Sequence, residues 1–229
     1  MDERRWSEVD NYLGSQLLED DPVLNRVIET SQQSGLPPIA VSPLQGKFLY
    51  LLARLMGARQ VLEIGTLGGY SAIWLGRALP PAPAGRLVSL EVNPMHAEVA
   101  MVNIADAGLA ETVEVRVGAA LDSLPKLAQE LGEGAFDFTF IDADKQDNAT
   151  YFAWAMKLTR PGGVIVVDNV VRQGHVLDAG SADQSVLGTR KLFAEMAQDK
   201  RMTATALQTV GLKGYDGFTI SIVETSPGQ

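Results

Sequence analysis

The spacing of apolar positions changes near residue 58. Before it, they recur at helical intervals: Leu44, Phe48, Leu51, Leu52 and Leu55 share a stripe opened by Ser42 at a capping position and Pro43 at the first helical position. Two earlier stretches, Arg4–Leu18 and the residues from Pro22 to about Ser34, read as amphipathic helices. Gly35-Leu36-Pro37-Pro38 separates them from the third.

From Arg59 onward, short apolar runs alternate with helical stretches, the punctuation of a βαβα chain. Gln60–Ile64, Arg86–Val92, Thr112–Val117, Phe136–Ile141 and Gly163–Val167 are mostly near-continuous in apolar residues, as a strand covered on both faces should be. Helices are predicted at Tyr70–Ala78, Pro94–Ala107, Leu121–Leu131 and Asn148–Leu158, and again at Gln184–Gln198 after an irregular segment, Val171–Asp183. Thr203–Val210 and Phe218–Val223 flank a Gly-rich turn and read as an antiparallel pair at the end of the sheet. The predicted fold is α/β, a doubly wound, seven-stranded, mostly parallel sheet with extra N-terminal helices. No shift in composition marks a second unit, so a single domain over residues 1–229 is expected, with 1–58 as a helical cap and 59–224 as the α/β core.

Composition narrows the function. With 19 Lys and Arg against 28 Asp and Glu, the formal charge of −9 provides no general attraction to nucleic acid or anionic lipid. The absence of cysteine removes disulfides, thiolate nucleophiles and thiolate metal sites, leaving oxygen ligands or the 2 histidines for any metal. The charged start Met1–Trp6 lacks the apolar core of a signal peptide, and no stretch of apolar residues is long enough to span a bilayer. A cytoplasmic protein with a small-molecule substrate and no membrane or nucleic-acid partner is expected.

In open α/β sheets, ligands collect at the carboxyl ends of the strands. The first strand runs into Val61-Leu62-Glu63-Ile64-Gly65-Thr66-Leu67-Gly68-Gly69-Tyr70-Ser71, where Leu67 stands in place of the second glycine of a dinucleotide loop. A diphosphate cofactor is disfavoured. The loop suits a ligand whose cationic group meets the acidic end while its body crosses the backbone closely, although a plain tight turn would use the same glycines. Glu91 ends the second strand, where a carboxylate can accept from ribose hydroxyls. The third ends in Gly118-Ala119-Ala120, small enough to admit a flat ring.

Asp142, Asp168 and Asn169 follow two strands that should be neighbours. Two carboxylates and an amide oxygen form a hard donor set suited to Mg²⁺, Ca²⁺ or Mn²⁺, although acidic residues also cap the helices that follow strands. Lys145 is a candidate base. Its ordinary pKa of about 10.4 would fall beside a divalent cation and the positive end of the following helix, while Asp144 and Asp147 oppose that shift.

The series Val61–Ser71, Glu91, Gly118–Ala120, Ile141-Asp142-Ala143-Asp144-Lys145 and Asp168-Asn169 resembles the class I S-adenosylmethionine-dependent O-methyltransferases, in particular the cation-dependent branch that includes catechol and caffeoyl-CoA O-methyltransferases. The resemblance spans roughly Pro37 to Val223 and implies the methyltransferase sheet, S-adenosylmethionine as cofactor and a homodimer. It places Val41, Glu63, Gly65, Thr66, Leu67, Gly69, Ser71, Glu91, Gly118, Ala119, Ala120 and Asp142 at the cofactor, and Met95 and His96 near the adenosine. It also implies Asp142, Asp168 and Asn169 as metal ligands, with Lys145 and Asp142 catalytic.

The chemistry is consistent with a hydroxylated aromatic acceptor bearing a vicinal diol. A metal lowers the pKa of the adjacent hydroxyls, Lys145 takes the proton, and the phenolate attacks the sulfonium methyl in line. A metal-free methyltransferase of the same fold and a non-catalytic cofactor-binding or interaction protein are the alternatives. Val171–Asp183 resembles the family's variable substrate loop, and Tyr215-Asp216-Gly217 falls where the family has a related aspartate-glycine turn, which this sequence enters through Gly211-Leu212-Lys213-Gly214-Tyr215 in place of the more usual proline-bearing approach.

Overall fold

The computed structural model describes residues 2–225. Met1 and residues 226–229, which the single-domain expectation includes, lie outside the described residues. Three helices open the chain: α1 (Glu3–Leu17), α2 (Pro22–Gln33) and α3 (Pro43–Leu55). Each begins on a side-chain cap, Asp2, Asp21 and Ser42 respectively, and Pro22 and Pro43 occupy first-turn positions where no amide donor is required.

The α/β core alternates β1 (Gln60–Ile64), α4 (Tyr70–Ala78), β2 (Arg86–Glu91), α5 (Pro94–Asp106), β3 (Val113–Val117), α6 (Ala120–Leu131), β4 (Phe136–Ile141), α7 (Asn148–Leu158) and β5 (Thr159–Asp168). It closes with α8 (Gln184–Met196), β6 (Met202–Gly211) and β7 (Gly214–Val223). The sheet order is β3-β2-β1-β4-β5-β7-β6, with β7 antiparallel to both β5 and β6. The predicted terminal hairpin is therefore present. Its turn is tighter than the sequence suggested, because Gly211 pairs with Gly214 and β7 already includes Tyr215, Asp216 and Gly217. β5 also starts earlier than predicted: Thr159 pairs with Phe136 across an irregularity before regular pairing resumes at Val164.

Alternate residues of the strands feed two cores. Val61, Leu87, Val113, Phe138 and Val166 face α4 and α5, whereas Leu62, Val88, Ile141, Ile165 and Val167 face α6, α7 and α8. The N-terminal helices extend the first core, contributing Leu24 and Val27 from α2 and Leu49 and Ala53 from α3. Covered by the sheet on one side and α3 on the other, α4 is buried at every residue except Arg77. Arg77 pairs with Asp21, which also caps α2. By contrast, α1 buries no residue. Trp74 lies in the core, while Trp154 is only half-buried. Among the described residues, no helix is long and apolar enough to cross a membrane.

The α3–α4 contact depends on Gly46. A Cβ there would lie 2.3 Å from Trp74 Cδ1, so the two helices meet over a missing side chain. Gly46→Ala should destabilise the fold by roughly 1–3 kcal/mol through overpacking. Urea unfolding checks this; an unchanged midpoint would mean that the helices part without cost.

A cavity at the carboxyl edge of the sheet

The loops after β1, β3 and β4 begin as continuations of the sheet. Gly65 N donates to Leu90 O at 3.0 Å, Asp142 N to Ile64 O at 2.8 Å and Gly118 N to Glu91 O at 2.8 Å. Gly65 has φ +102°, and a Cβ on it would fall 2.2 Å from the Asp142 carbonyl oxygen. Only glycine fits where these two loops meet.

Around this edge lies a cavity of about 980 Å³, at the upper end of the usual range for small-molecule sites. Of the residues singled out in the sequence, Gly65, Thr66, Leu67 and Ser71 line it from the first loop, and Val41 lines it from the segment before α3. Glu91, Gly118, Ala119 and Ala120 form a second wall; Asp142, Lys145 and Asn169 form a third. Gly69, Glu63 and Asp168 stand behind these walls. Gly69, at φ +83°, instead lets the chain turn into α4.

Glu91 is fixed by the glycine loop. Its Oε2 accepts from Thr66 N at 3.2 Å and Leu67 N at 2.8 Å, and its Oε1 from Asn93 N at 2.9 Å. These amides occupy three of about four acceptor positions of a carboxylate, so the group is oriented and retains limited capacity for a ligand hydroxyl. His96, expected near this wall, lines the cavity with Nδ1 3.6 Å from Glu91 Oε1, whereas Met95 faces solvent.

Glu63 is fully buried. Its Oε2 accepts from Ser89 Oγ at 2.5 Å, and its Oε1 has no hydrogen-bond partner among the described residues. Burial pushes its pKa up to about 7, Ser71 and Ser89 oppose that shift, and the charges of Asp142 and Glu91 add to it. The carboxylate foreseen as meeting a ligand's cation is therefore set behind the loop, one layer from the cavity.

At the third wall, Lys145 is buried and donates from Nζ to Asp142 Oδ1 at 2.6 Å. Asp168 accepts from Gln45 Nε2 at 2.6 Å and from Asn169 N at 2.8 Å. Burial raises the Asp168 pKa to about 7, the nearby Asp142 charge adds to the rise, and Lys145 opposes it. Asn169 adopts φ +57°, a strained region for a non-glycine residue, and lines the cavity with no side-chain hydrogen bond among the described residues. Two neighbouring carboxylates and a free amide oxygen form a donor set that fits a hard divalent cation. Among the described residues, no cluster of three or more His, Asp or Glu side chains is arranged for a metal, so such an ion would depend on the amide.

Several contributors were not legible in sequence. Gln45 reaches Asp168 from α3, and Asn103 Nδ2 on α5 donates to Gly68 O at 2.8 Å, holding the glycine loop from behind. Ile28, Ser31 and Leu36–Ala40 add a wall from the N-terminal region. Arg172 and Lys213 line the cavity as well, whereas His175 is exposed and outside it. Their contacts join residues far apart in the chain, and local periodicity carries no signal for them.

The fold and cavity define a doubly wound α/β protein with a small-molecule site at the carboxyl edge of its sheet. Residues 15–221 match the family model described as O-methyltransferase, and the chain belongs to that family. It is 52% identical over 216 residues to the catechol O-methyltransferase of Mycobacterium tuberculosis, covering 94% of this chain and 95% of the relative. An O-methyltransferase from Bacillus cereus solved in complex with SAH superposes with a TM-score of 0.94 at 51% identity, covering 97% of this chain and 100% of that one. The O-methyltransferase TomG of Streptomyces achromogenes, involved in tomaymycin synthesis and solved with SAM, gives 0.93 at 50% identity over 98% and 100%.

The raised pKa of Glu63 has a consequence for stability. Unfolded, the group ionises near 4.3. Between that value and about 7, the folded chain keeps a proton that the unfolded chain has released, so this carboxyl makes the fold less stable as pH rises through that window. Glu63→Gln should gain on the order of 3 kcal/mol relative to the parent between pH 4 and pH 8. Melting temperatures of the ligand-free proteins across that range test the assignment; a constant gap between the two would remove it.

Proposed function

We propose that this chain transfers the methyl group of S-adenosylmethionine to one hydroxyl of a vicinal diol on a small aromatic acceptor, with a divalent cation, Mg²⁺ foremost, held by Asp142, Asp168 and Asn169. The observation that carries the reading is the wall formed by Asp142, Asn169 and Lys145, with Asp168 buried directly behind it, on a cavity whose neighbouring walls are the Gly65 loop and Glu91. The complexes of the Bacillus and Streptomyces relatives with SAH and SAM, and the name of the mycobacterial relative, support it.

The chain's own residues divide the work. Glu91, pinned by three amides, accepts from the ribose, and Gly118, Ala119 and Ala120 leave room for the base. Ser71, and Glu63 behind it, face the cationic end of the methyl donor; burial raises the pKa of Glu63 and a neighbouring positive charge would favour its ionised form. When bound, a divalent cation lowers the pKa of adjacent hydroxyls as a Lewis acid. Acting as the free amine, Lys145 Nζ takes the hydroxyl proton and becomes the ammonium, and Asp142 Oδ1, 2.6 Å away, holds that nitrogen in position. Val41, Leu36 and Ile28 narrow access of water to the methyl path.

The same reading includes a cytoplasmic homodimer. The exposed edge strand β6 lies beside α1, whose Val9, Tyr12, Leu13 and Leu17 form an exposed apolar stripe that is unpaired in the single chain.

Assay with labelled S-adenosylmethionine against catechols and matched monophenols should give labelling of the catechols alone, abolished by excess chelator. Labelling that survives chelation would favour the metal-free alternative. Asp168→Ala should lower kcat by roughly 100-fold and lose the Mn²⁺ signal in electron paramagnetic resonance while leaving methyl-donor affinity within about threefold. Lys145→Ala should lower kcat by about 10²–10⁴-fold with a smaller change in KM, and an unchanged rate would remove it as the base.

A further inference from the structure

The cavity has a cationic side that the methyl-transfer reading leaves unused. Lys213 sits in the two-residue tip between β6 and β7 and donates from Nζ to the carbonyl of Pro38 at 2.8 Å, joining two walls of the cavity. One donor is thereby used and two remain. Arg172 lies just beyond Asn169 in a strained turn at φ +55°, its Nε buried without a partner, and its guanidinium forms no ion pair or hydrogen bond among the described residues. Lys213 likewise forms no ion pair within 4 Å among the described residues.

Both cations are held in place. Asp216 Oδ1 on β7 accepts from Val171 N at 2.9 Å and Arg172 N at 3.0 Å, so one carboxylate carries the Arg172 turn on the strand that follows Lys213. Asp10 of α1 accepts from Leu212 N at 2.8 Å, and a Cβ on Gly211 would stand 2.1 Å from Asp10 Oδ2. The hairpin tip is therefore clamped from outside while its lysine points inward.

Acidic groups also face the cavity from the turn after β4. Asp142 is paired with Lys145, and Asp144 Oδ1 accepts from Tyr151 OH at 2.6 Å. Burial lowers the Lys213 pKa, while Asp142 and Asp168 raise it. The two cations thus sit on the acceptor side, near the proposed metal donors, with no counter-ion of their own.

Building on the methyl-transfer reading, we infer that Lys213 and Arg172 select acceptors carrying a carboxylate on the aromatic ring or its side chain, so that the preferred substrate is an anionic catechol. The anion would take the free donors of Lys213 and the unpartnered face of Arg172, and the diol would lie toward Asp142, Asp168 and Asn169. Charge-assisted hydrogen bonds of this kind are about twice as strong as neutral ones, and a planar guanidinium matches a carboxylate in shape.

The test uses an isosteric pair, 3,4-dihydroxybenzoate and 3,4-dihydroxybenzamide, with S-adenosylmethionine and Mg²⁺. The parent should favour the benzoate in kcat/KM by roughly tenfold or more, mainly through KM, and less at high ionic strength. Lys213→Met and Arg172→Gln, checked for unchanged melting temperature, should each reduce that ratio several-fold. Equal kcat/KM for the pair, or a ratio unchanged in both variants, would overturn the inference. If neither compound is methylated, the catechol reading fails on its own account. Calorimetric binding of the same pair in the presence of S-adenosylhomocysteine then decides the anion inference: preferential benzoate binding that Lys213→Met weakens supports it, and equal affinity overturns it.

Discussion

A methyl-sized atom cannot be added at position 65, and the rest of the site follows from that constraint. The Gly65 loop and the Asp142 loop approach until a Cβ would stand 2.2 Å from the Asp142 carbonyl, because both leave the sheet in register and stay hydrogen-bonded for one residue beyond their strands. Gly118 does the same beside Glu91. The first residues of three loops are therefore positioned as firmly as strand residues. Side chains that follow them inherit that precision, which suits a site whose reactants must be aligned within a few tenths of an ångström.

The same geometry concentrates negative charge. Glu63, Glu91, Asp142 and Asp168 all lie within one residue of the carboxyl ends of neighbouring parallel strands, and four carboxyls at one edge would repel one another if each were left alone. Each has a different compensation: three amides for Glu91, a serine hydroxyl for Glu63, Lys145 for Asp142, and Gln45 with an adjacent amide for Asp168. Compensation is incomplete for the two most buried, whose pKa values burial raises to about 7. An edge with this excess favours guests that bring positive charge, and the methyl donor and divalent cation proposed here both do.

How far the sequence disclosed this depends on the range of each interaction. Strand and helix spans were readable because a doubly covered strand is almost uniformly apolar and because proline and a polar cap mark the starts of α2, α3 and α5. The glycine loop and the acidic residues after β4 and β5 were readable because strand ends in this topology converge. Gln45, Asn103, Asp10 and Lys213 were not: each acts on a residue 35 or more positions away, and an isolated polar residue on a helix or turn has no periodicity to betray its partner. The early start of β5 escaped notice because Pro161-Gly162-Gly163 reads as a loop, although Thr159 pairs with Phe136 before it.

Two halves of the cavity therefore have different structural origins. The half with Glu91, Gly65 and Asp142 is built by strand register, and a change there disturbs the sheet itself. The half with Pro38, Arg172 and Lys213 is built by segments that the sheet only carries, linked by Lys213 to Pro38, by Asp216 to the Arg172 turn and by Asp10 to the hairpin tip. Those links are one or two charge-assisted hydrogen bonds each, worth about 1.5–3 kcal/mol net per bond, so residues there can be exchanged with less effect on the fold than residues placed by strand register. Chemistry fixed by the sheet and recognition carried by its attachments can then vary separately. This explains how α1, with no buried residue, still bears on the site through a single carboxylate.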